Sequence, residues 1–339
     1  MAGKLRWGIL GTGNIAKQFV TGLLLSRHGT PAAVGSRVGE SAREFSRQCG
    51  IGRAHGSYQA LIDDPEIDAI YNALPNSLHC QWSVAAMKAG KHVLCEKPLA
   101  MNVAETEQML AASQQTGKLL MEAFMYRCHP LTAAVAETVK SGAIGDLKLI
   151  RTSFCYRTRK IDGNVRYVRE LGGGGLMDIG CYCIDFARYF AGAEPTTVHA
   201  VGTLHVSGVD DLVSATMLFP NGVVSNFTCG MSVQADNTAH LCGSEGYIEI
   251  PVPWKPPAHA AKYVVTRGIP PRMDNSPLTP VPPPRDMRTV DAGGDIYAVE
   301  ADDFASAILE GKPLRVRPED SLANMRILDQ MRQQIGVVF

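Results

Sequence analysis

Gly11-Thr12-Gly13-Asn14-Ile15-Ala16 (GTGNIA) follows a short apolar run, Arg6–Leu10 (RWGIL), and opens a stretch in which Ile15, Phe19, Val20, Leu23 and Leu24 recur at helical spacing. G-x-G-x-x-A at a strand-to-helix junction is a turn suited to a phosphate. Gly11 permits the tight turn, Gly13 lets the backbone approach a pyrophosphate, and Ala16 lets helix and strand pack closely. Free N–H groups and the dipole at the helix start favour an anion. A plain tight turn, or a methyltransferase turn, carries similar glycines. A methyltransferase should also place an acid at the end of the second strand.

Outward from this turn the chain alternates. Strands are predicted at Ala32–Ser36, Ile67–Leu74, His92–Cys95 and Lys118–Ala123. Helices are predicted at Asn14–Ser26, Glu40–Cys49, Ser77–Ala89 and Val103–Thr116. Such alternation implies a parallel, doubly wound α/β sheet of the Rossmann type, with ligands at the carboxyl ends of its strands. The second strand ends in Gly35-Ser36-Arg37, without an acid. A carboxylate there would hold both ribose hydroxyls of NAD; a hydroxyl and a guanidinium suit a 2′-phosphate instead. Ser36 and Arg37 therefore favour NADP over NAD, unless Arg37 is only a solvated loop charge.

At 339 residues, and about 150 residues per domain, two domains are expected. Lys+Arg and Asp+Glu both number 33, so no global field attracts a nucleic acid. No apolar run approaches the roughly 20 residues that cross a bilayer. The N-terminus shows no hydrophobic signal region, and nine cysteines occur without a C-x-x-C pair. These features point to a reducing cytoplasm, buried thiols and no metal site.

After His129-Pro130 the pattern changes. A helix at Thr132–Ser141 is followed by β-branched segments at Leu147–Tyr156, Thr197–His205, Ser214–Phe219, Val223–Gly230 and Tyr247–Ile250, with a helix at Gly180–Ala191. A mixed, largely antiparallel open sheet in an α+β domain is expected, with boundaries near 1–126 and 127–339. Residues 251–284 hold eleven of the twenty prolines, which predicts an irregular surface excursion or a loop covering a site. Helices at Tyr297–Leu309 and Leu322–Gln334 close the chain, the last packing back on the first domain.

Three further segments carry a resemblance: Glu96-Lys97-Pro98, Met121–Arg127 (MEAFMYR) and Gly172–Tyr182 (GGGGLMDIGCY). Together with GTGNIA, the chain resembles the Gfo/Idh/MocA oxidoreductases, the glucose–fructose oxidoreductase-like family, over nearly its whole length. The EAFMYR form and Tyr182 look most like NADP-dependent D-xylose and trans-dihydrodiol dehydrogenases. The resemblance implies that Lys97, beside Glu96, approaches nicotinamide and substrate, and that Asp178 and Tyr182 face it from the second domain. It also implies that Leu74, Pro75, Asn76 and His79 line the cofactor cleft, that Arg166 lies where sugar hydroxyls are contacted, and that the open sheet joins a homodimer or dimer of dimers. Gly175 departs from the family, where a larger small residue is common.

Hydride transfer needs a matched proton transfer at the carbinol oxygen. A tyrosine, with its ordinary pKa near roughly 10, needs help to act as a base at neutral pH. Lys97 is expected to favour the Tyr182 phenolate and to bond the reacting oxygen. Asp178, four residues before Tyr182, would share its helix face and balance Lys97. Each has a plainer reading: Tyr182 as core aromatic, Asp178 as helix cap, His79 as helix-start residue, Arg166 as surface charge. The expected function is an NADP-dependent oxidoreductase acting on a sugar or polyol, as aldose 1-dehydrogenase or sugar carbonyl reductase. The alternatives are a trans-dihydrodiol dehydrogenase taking a cyclic diol and a non-catalytic dinucleotide sensor. For assembly, Thr216, Leu218, Ser225 and Phe227 are expected to share the face that a second copy covers.

Overall fold

The computed structural model describes residues 4–268 and 283–337. Its first half is a six-stranded parallel sheet: β1 (Leu5–Leu10), β2 (Gly29–Gly35), β3 (Arg53–His55), β4 (Ala69–Asn72), β5 (His92–Cys95) and β6 (Leu120–Glu122), in the order β3-β2-β1-β4-β5-β6. Helices α1 (Asn14–Leu23), α2 (Gly39–Cys49), α3 (Tyr58–Ile62), α4 (His79–Lys88) and α5 (Val103–Thr116) make the crossovers. Strand order reverses between β1 and β4, so their carboxyl ends open a crevice there. Trp7, Ile9, Ile70 and Leu94 are fully buried, as expected of strands covered on both faces.

β3 and α3 are additions to the expected pattern. Three residues without a β-branched side chain, and five helical residues, are too short for periodicity to register. The sheet therefore has six strands where five were expected.

After α6 (Met125–Cys128) and α7 (Pro130–Lys140), the second sheet is built from β7 (Leu147–Cys155), β8 (Thr197–Leu204), β9 (Asp210–Leu218), β10 (Val224–Gly230), β11 (Ala239–Gly243), β12 (Gly246–Ile250), β13 (Ala261–Arg267) and β14 (Arg285–Val290). Its order is β14-β13-β12-β11-β7-β10-β9-β8, with only β7 and β10 parallel. Helices α7, α8 (Cys181–Ala191) and α10 (Pro318–Gln334) pack against this sheet. On β9, Val213, Ala215 and Met217 are buried while Ser214, Thr216 and Leu218 are exposed.

Two expectations are corrected here. Ser225 pairs with Met217 and Phe227 with Ala215, so both are buried on the covered face, opposite Thr216 and Leu218. The four residues do not share a face. Nor is 251–284 irregular throughout: β13 occupies the proline-free run within it, because the prolines cluster on either side. Residues 269–282 of that segment lie outside the described residues.

The C-terminal helices reach back to the first sheet. On α9 (Ile296–Glu310), Phe304 packs on Trp7 at 5.7 Å between ring centroids. A Cβ at Gly22 of α1 would sit 2.6 Å from the Tyr297 Cβ, so α1 and α9 touch closely. From α10, Asp329 accepts the Val103 N–H at 2.9 Å. No helix among the described residues is long and apolar enough to cross a membrane.

Candidate active site

A cavity of about 440 Å³ opens where β1 and β4 end, and the second domain closes it. Gly11 to Ile15, Ala73 to Asn76, Glu96 and Lys97 line it from the first domain; Arg166, Gly172 to Gly174, Asp178 and Tyr182 line it from the second. Gly11 has φ +98°, which the turn requires and a side chain would resist. Gly13 caps α1 without a side-chain hydrogen bond, and a Cβ there would meet nothing within 4 Å. The first turn of α1 thus carries no side-chain cap, and the uncrowded backbone at Gly13 leaves room for a dinucleotide pyrophosphate.

Ser36 and Arg37 do not line this cavity. Ser36 is buried at the end of β2, with its Oγ accepting the Val38 N–H at 3.3 Å. Arg37 is exposed beside it and forms no ion pair with a described residue.

Lys97 and Pro98 follow β5 through a cis peptide. The Lys97 ammonium crosses the cleft to the Asp178 carbonyl at 2.8 Å and its Oδ1 at 3.1 Å. Asp178 Oδ2 accepts from the Tyr156 hydroxyl at 2.6 Å and from Arg166 Nε at 2.7 Å. The carboxylate is thus a hub of three donors. It caps no backbone, and it stands on a π-helical turn (Leu176–Gly180) before α8 rather than in regular helix with Tyr182. Burial alone would raise its pKa. Lys97, Arg166 and the Tyr156 hydrogen bond outweigh burial and hold it well below the usual carboxylate range.

Burial opposes the Lys97 charge most strongly, but Asp178 together with Cys181 and Glu96 outweighs it and raises the ammonium above its ordinary value. The expected phenolate coupling is corrected. The ammonium lies over the Tyr182 ring, 5.3 Å from its centroid, while the hydroxyl points to Met125 Sδ at 3.3 Å. Burial, then Glu96, push the phenol well above its ordinary value. Both groups therefore hold their protons at neutral pH. Glu96 is buried too, bonded through Oε1 to the Tyr71 hydroxyl and through Oε2 to the Lys97 N–H at 3.3 Å.

His79 is not a cleft residue, which corrects another expectation. It is fully buried at the start of α4, with Nδ1 2.9 Å from the Pro98 carbonyl and Nε2 2.7 Å from the Leu74 carbonyl. Burial, against those two carbonyls, lowers its pKa to about 4. The ring braces the loops that present Pro75, Asn76 and Lys97. Asn76 crosses the cleft, its Nδ2 donating to the Gly172 carbonyl at 2.8 Å. At Gly175 a Cβ would come within 3.2 Å of Asp210 Oδ2, so the departure there matches a tight spot.

Sequence reasoning missed Tyr156 and Trp254. Tyr156 directly follows β7, and only the fold brings it to Asp178. Trp254 sits in the proline-rich segment, yet it is 4% exposed and donates Nε1–H to the Ser153 carbonyl at 2.8 Å. It stacks on Phe154 and lies 6.1 Å from the Tyr182 ring, forming the wall behind it. Its neighbour Lys255 bonds Gln18 of α1 at 2.7 Å, and Gln18 lines the cavity. This part of the segment backs the site.

Comparison with known proteins agrees with both halves. The oxidoreductase family model with an NAD-binding Rossmann fold matches residues 5–124, and the GFO/IDH/MocA C-terminal domain matches residues 132–249. A trans-1,2-dihydrobenzene-1,2-diol dehydrogenase of Mus musculus is 35% identical over 99% of this chain and 98% of its own. The aldose-aldose oxidoreductase of Caulobacter crescentus, solved with glycerol, superposes with a TM-score of 0.86 at 29% identity, covering 98% of this chain and 97% of that one. A 3-ketoreductase of Actinomadura kijaniata, solved with NADP and TDP-benzene, gives 0.85 at 31% identity, covering 98% of each chain. Fold and site thus define an oxidoreductase with a dinucleotide-binding Rossmann domain. More particularly, the chain belongs to the Gfo/Idh/MocA family.

Proposed function

We propose that this enzyme uses NADP to move a hydride to or from a sugar or polyol carbon, as an aldose 1-dehydrogenase or a sugar carbonyl reductase. The observation that carries this reading is the Lys97–Asp178 contact across the cleft, at the open end of the cavity that begins at Gly11. Nicotinamide, when bound, supplies or accepts the hydride. Lys97, charged and held by Asp178, bonds the substrate oxygen and donates its proton when a carbonyl is reduced. The Tyr182 hydroxyl is a second proton donor to the substrate oxygen, and Arg166 and Asp178 orient the substrate. Gly11, Thr12, Gly13, Asn14 and Ile15 hold the pyrophosphate, with Leu74, Pro75, Asn76 and Glu96 beside the nicotinamide end. Unpaired Arg37, with Ser36, supports the 2′-phosphate of NADP over NAD.

A second reading, a trans-dihydrodiol dehydrogenase, draws support from the apolar flank that Met125, Val165 and Leu171 give the cavity, which suits a carbocycle. A panel of aldoses, polyols and cyclic diols, assayed with NADP and with NAD, tests both. Sugar turnover with NADP is expected. Turnover confined to cyclic diols would favour the second reading, and no turnover with either dinucleotide would remove both.

A further inference from the structure

We infer that Arg166 makes this site selective for sugars or polyols that carry an oxyanion, a carboxylate or a phosphate. The inference rests on the hydride-transfer reading above and names its substrate class more narrowly.

Arg166 spends only one guanidinium nitrogen on the protein, Nε at 2.7 Å from Asp178 Oδ2. Among the described residues, its two terminal nitrogens form no other hydrogen bond. The side chain lines the cavity and is 46% exposed. Its main chain is fixed: its N–H donates to Asn164 Oδ1 at 3.1 Å, and its carbonyl accepts the Gly174 N–H at 2.9 Å. A Cβ at Gly173 would collide with that same carbonyl, so the glycine run lies directly against it. A planar fork held at its base, with both tips open, matches the paired oxygens of a carboxylate or phosphate.

The local charge points the same way. Lys97 and Arg166 are two cations beside one carboxylate, Asp178. Asp178 is already occupied by Lys97, Arg166 and Tyr156. The other cavity carboxyl, Glu96, is turned to Tyr71 and the Lys97 backbone, and burial raises its pKa. Among the described residues, neither carboxyl hydrogen-bonds the terminal nitrogens of Arg166. A hydroxyl would give these nitrogens one neutral acceptor, whereas an oxyanion would meet both with charge-assisted bonds.

The test is calorimetric titration of the NADPH-loaded enzyme with D-glucose, D-glucuronate and D-glucose 6-phosphate. At least one of the two acids should bind about tenfold or more tightly than glucose, and the better acid identifies the oxyanion. The advantage should vanish in Arg166→Gln and survive only in part in Arg166→Lys, which keeps the charge without the fork. NADPH binding in the same titrations confirms that each variant is folded. Equal affinity for all three ligands, no binding by either acid, or an advantage that persists in Arg166→Gln would overturn the inference. Turnover assayed in parallel keeps the two readings apart. Catalysis on glucose without oxyanion preference would spare the function and sink this inference; oxyanion binding without turnover of any sugar would do the reverse.

Discussion

Lys97 and Asp178 lie 81 positions apart in the chain, yet the Lys97 ammonium bonds both the main-chain carbonyl of Asp178 and its carboxylate. Two contacts to one residue fix the ammonium along two directions. The lysine is thereby pre-positioned on the second domain before any substrate arrives.

Replacing Lys97 by Ala, or Tyr182 by Phe, should each lower turnover about 100-fold or more while NADP binding persists. The Lys97 loss should be the larger, because Tyr182 is directed to Met125 rather than to the ammonium. Steady-state kinetics on both single variants and the double variant measure the coupling. A double variant little worse than Lys97→Ala is expected if the two act as a unit; multiplied losses would show that they act independently.

Both Lys97 and Tyr182 are held above their ordinary pKa values. Reduction needs a protonated donor, so its kcat/KM should stay level from about pH 6 to about pH 9. Oxidation needs a base, so its kcat/KM should climb through the same window. Rates in both directions with one substrate pair would show it; an oxidation rate that falls as pH rises would contradict the assignment.

Arg37→Ala should weaken NADP binding about tenfold or more and leave NAD nearly unchanged. Fluorescence titration with each reduced dinucleotide reads the difference. Wild-type protein that prefers NAD would show that Ser36 and Arg37 do not form the phosphate pocket.

Glu122 is fully buried, and burial raises its carboxyl to about 8 from an ordinary value of about 4.3. The folded state therefore binds this proton more tightly than the unfolded state does. Its contribution to stability is complete below the unfolded pKa and is lost as pH rises through about 8. Glu122→Gln should accordingly lose less Tm than wild type between about pH 5 and about pH 8. The Leu99 N–H, 2.9 Å from Oε1, keeps an acceptor in that variant. Parallel melting curves settle the point, since equal losses would mean the carboxyl is not the source.

The open sheet face carries Val201, Leu218 and Met287 with 72%, 41% and 61% of their surfaces exposed. A second copy laid face to face would cover them, and light scattering should give twice the 36.5 kDa chain mass. Leu218→Lys should shift the species toward monomer. A monodisperse monomer in the wild type would leave this face without its proposed cover.

The alternating elements of the first sheet were legible because α1 carries a clear apolar stripe, and because Gly11 and Gly13 stand where a strand passes into that helix. His92–Cys95 and Val103–Thr116 match their predicted limits. Arg53–His55 escaped notice because an edge strand of three residues has no pattern to show. Ala261–Arg267 was hidden by the prolines around it. In the site, Lys97 and Asp178 belonged to recognisable segments. Tyr156 was recoverable only from the register that sets the end of β7 beside the π-turn. His79 misled because its position in the chain resembles that of a cleft residue, while its ring turns inward to two carbonyls. The role of Trp254 depends on a stacking partner, Phe154, 100 positions earlier.

Phe304 and Tyr297 complete the first sheet's packing from the far end of the chain, against Trp7 and α1. The dinucleotide-binding half is consequently not a separable cassette. A fragment ending near Cys128 would lack α9 and expose the apolar surface around Trp7 and Phe19 to water. Exchanging that half between related enzymes would require the last forty or so residues to travel with it, roughly from Ile296 onward. During synthesis the same half cannot settle fully until the final helices leave the ribosome. The two ends of the polypeptide therefore mature together, although the family models that match it describe two successive units.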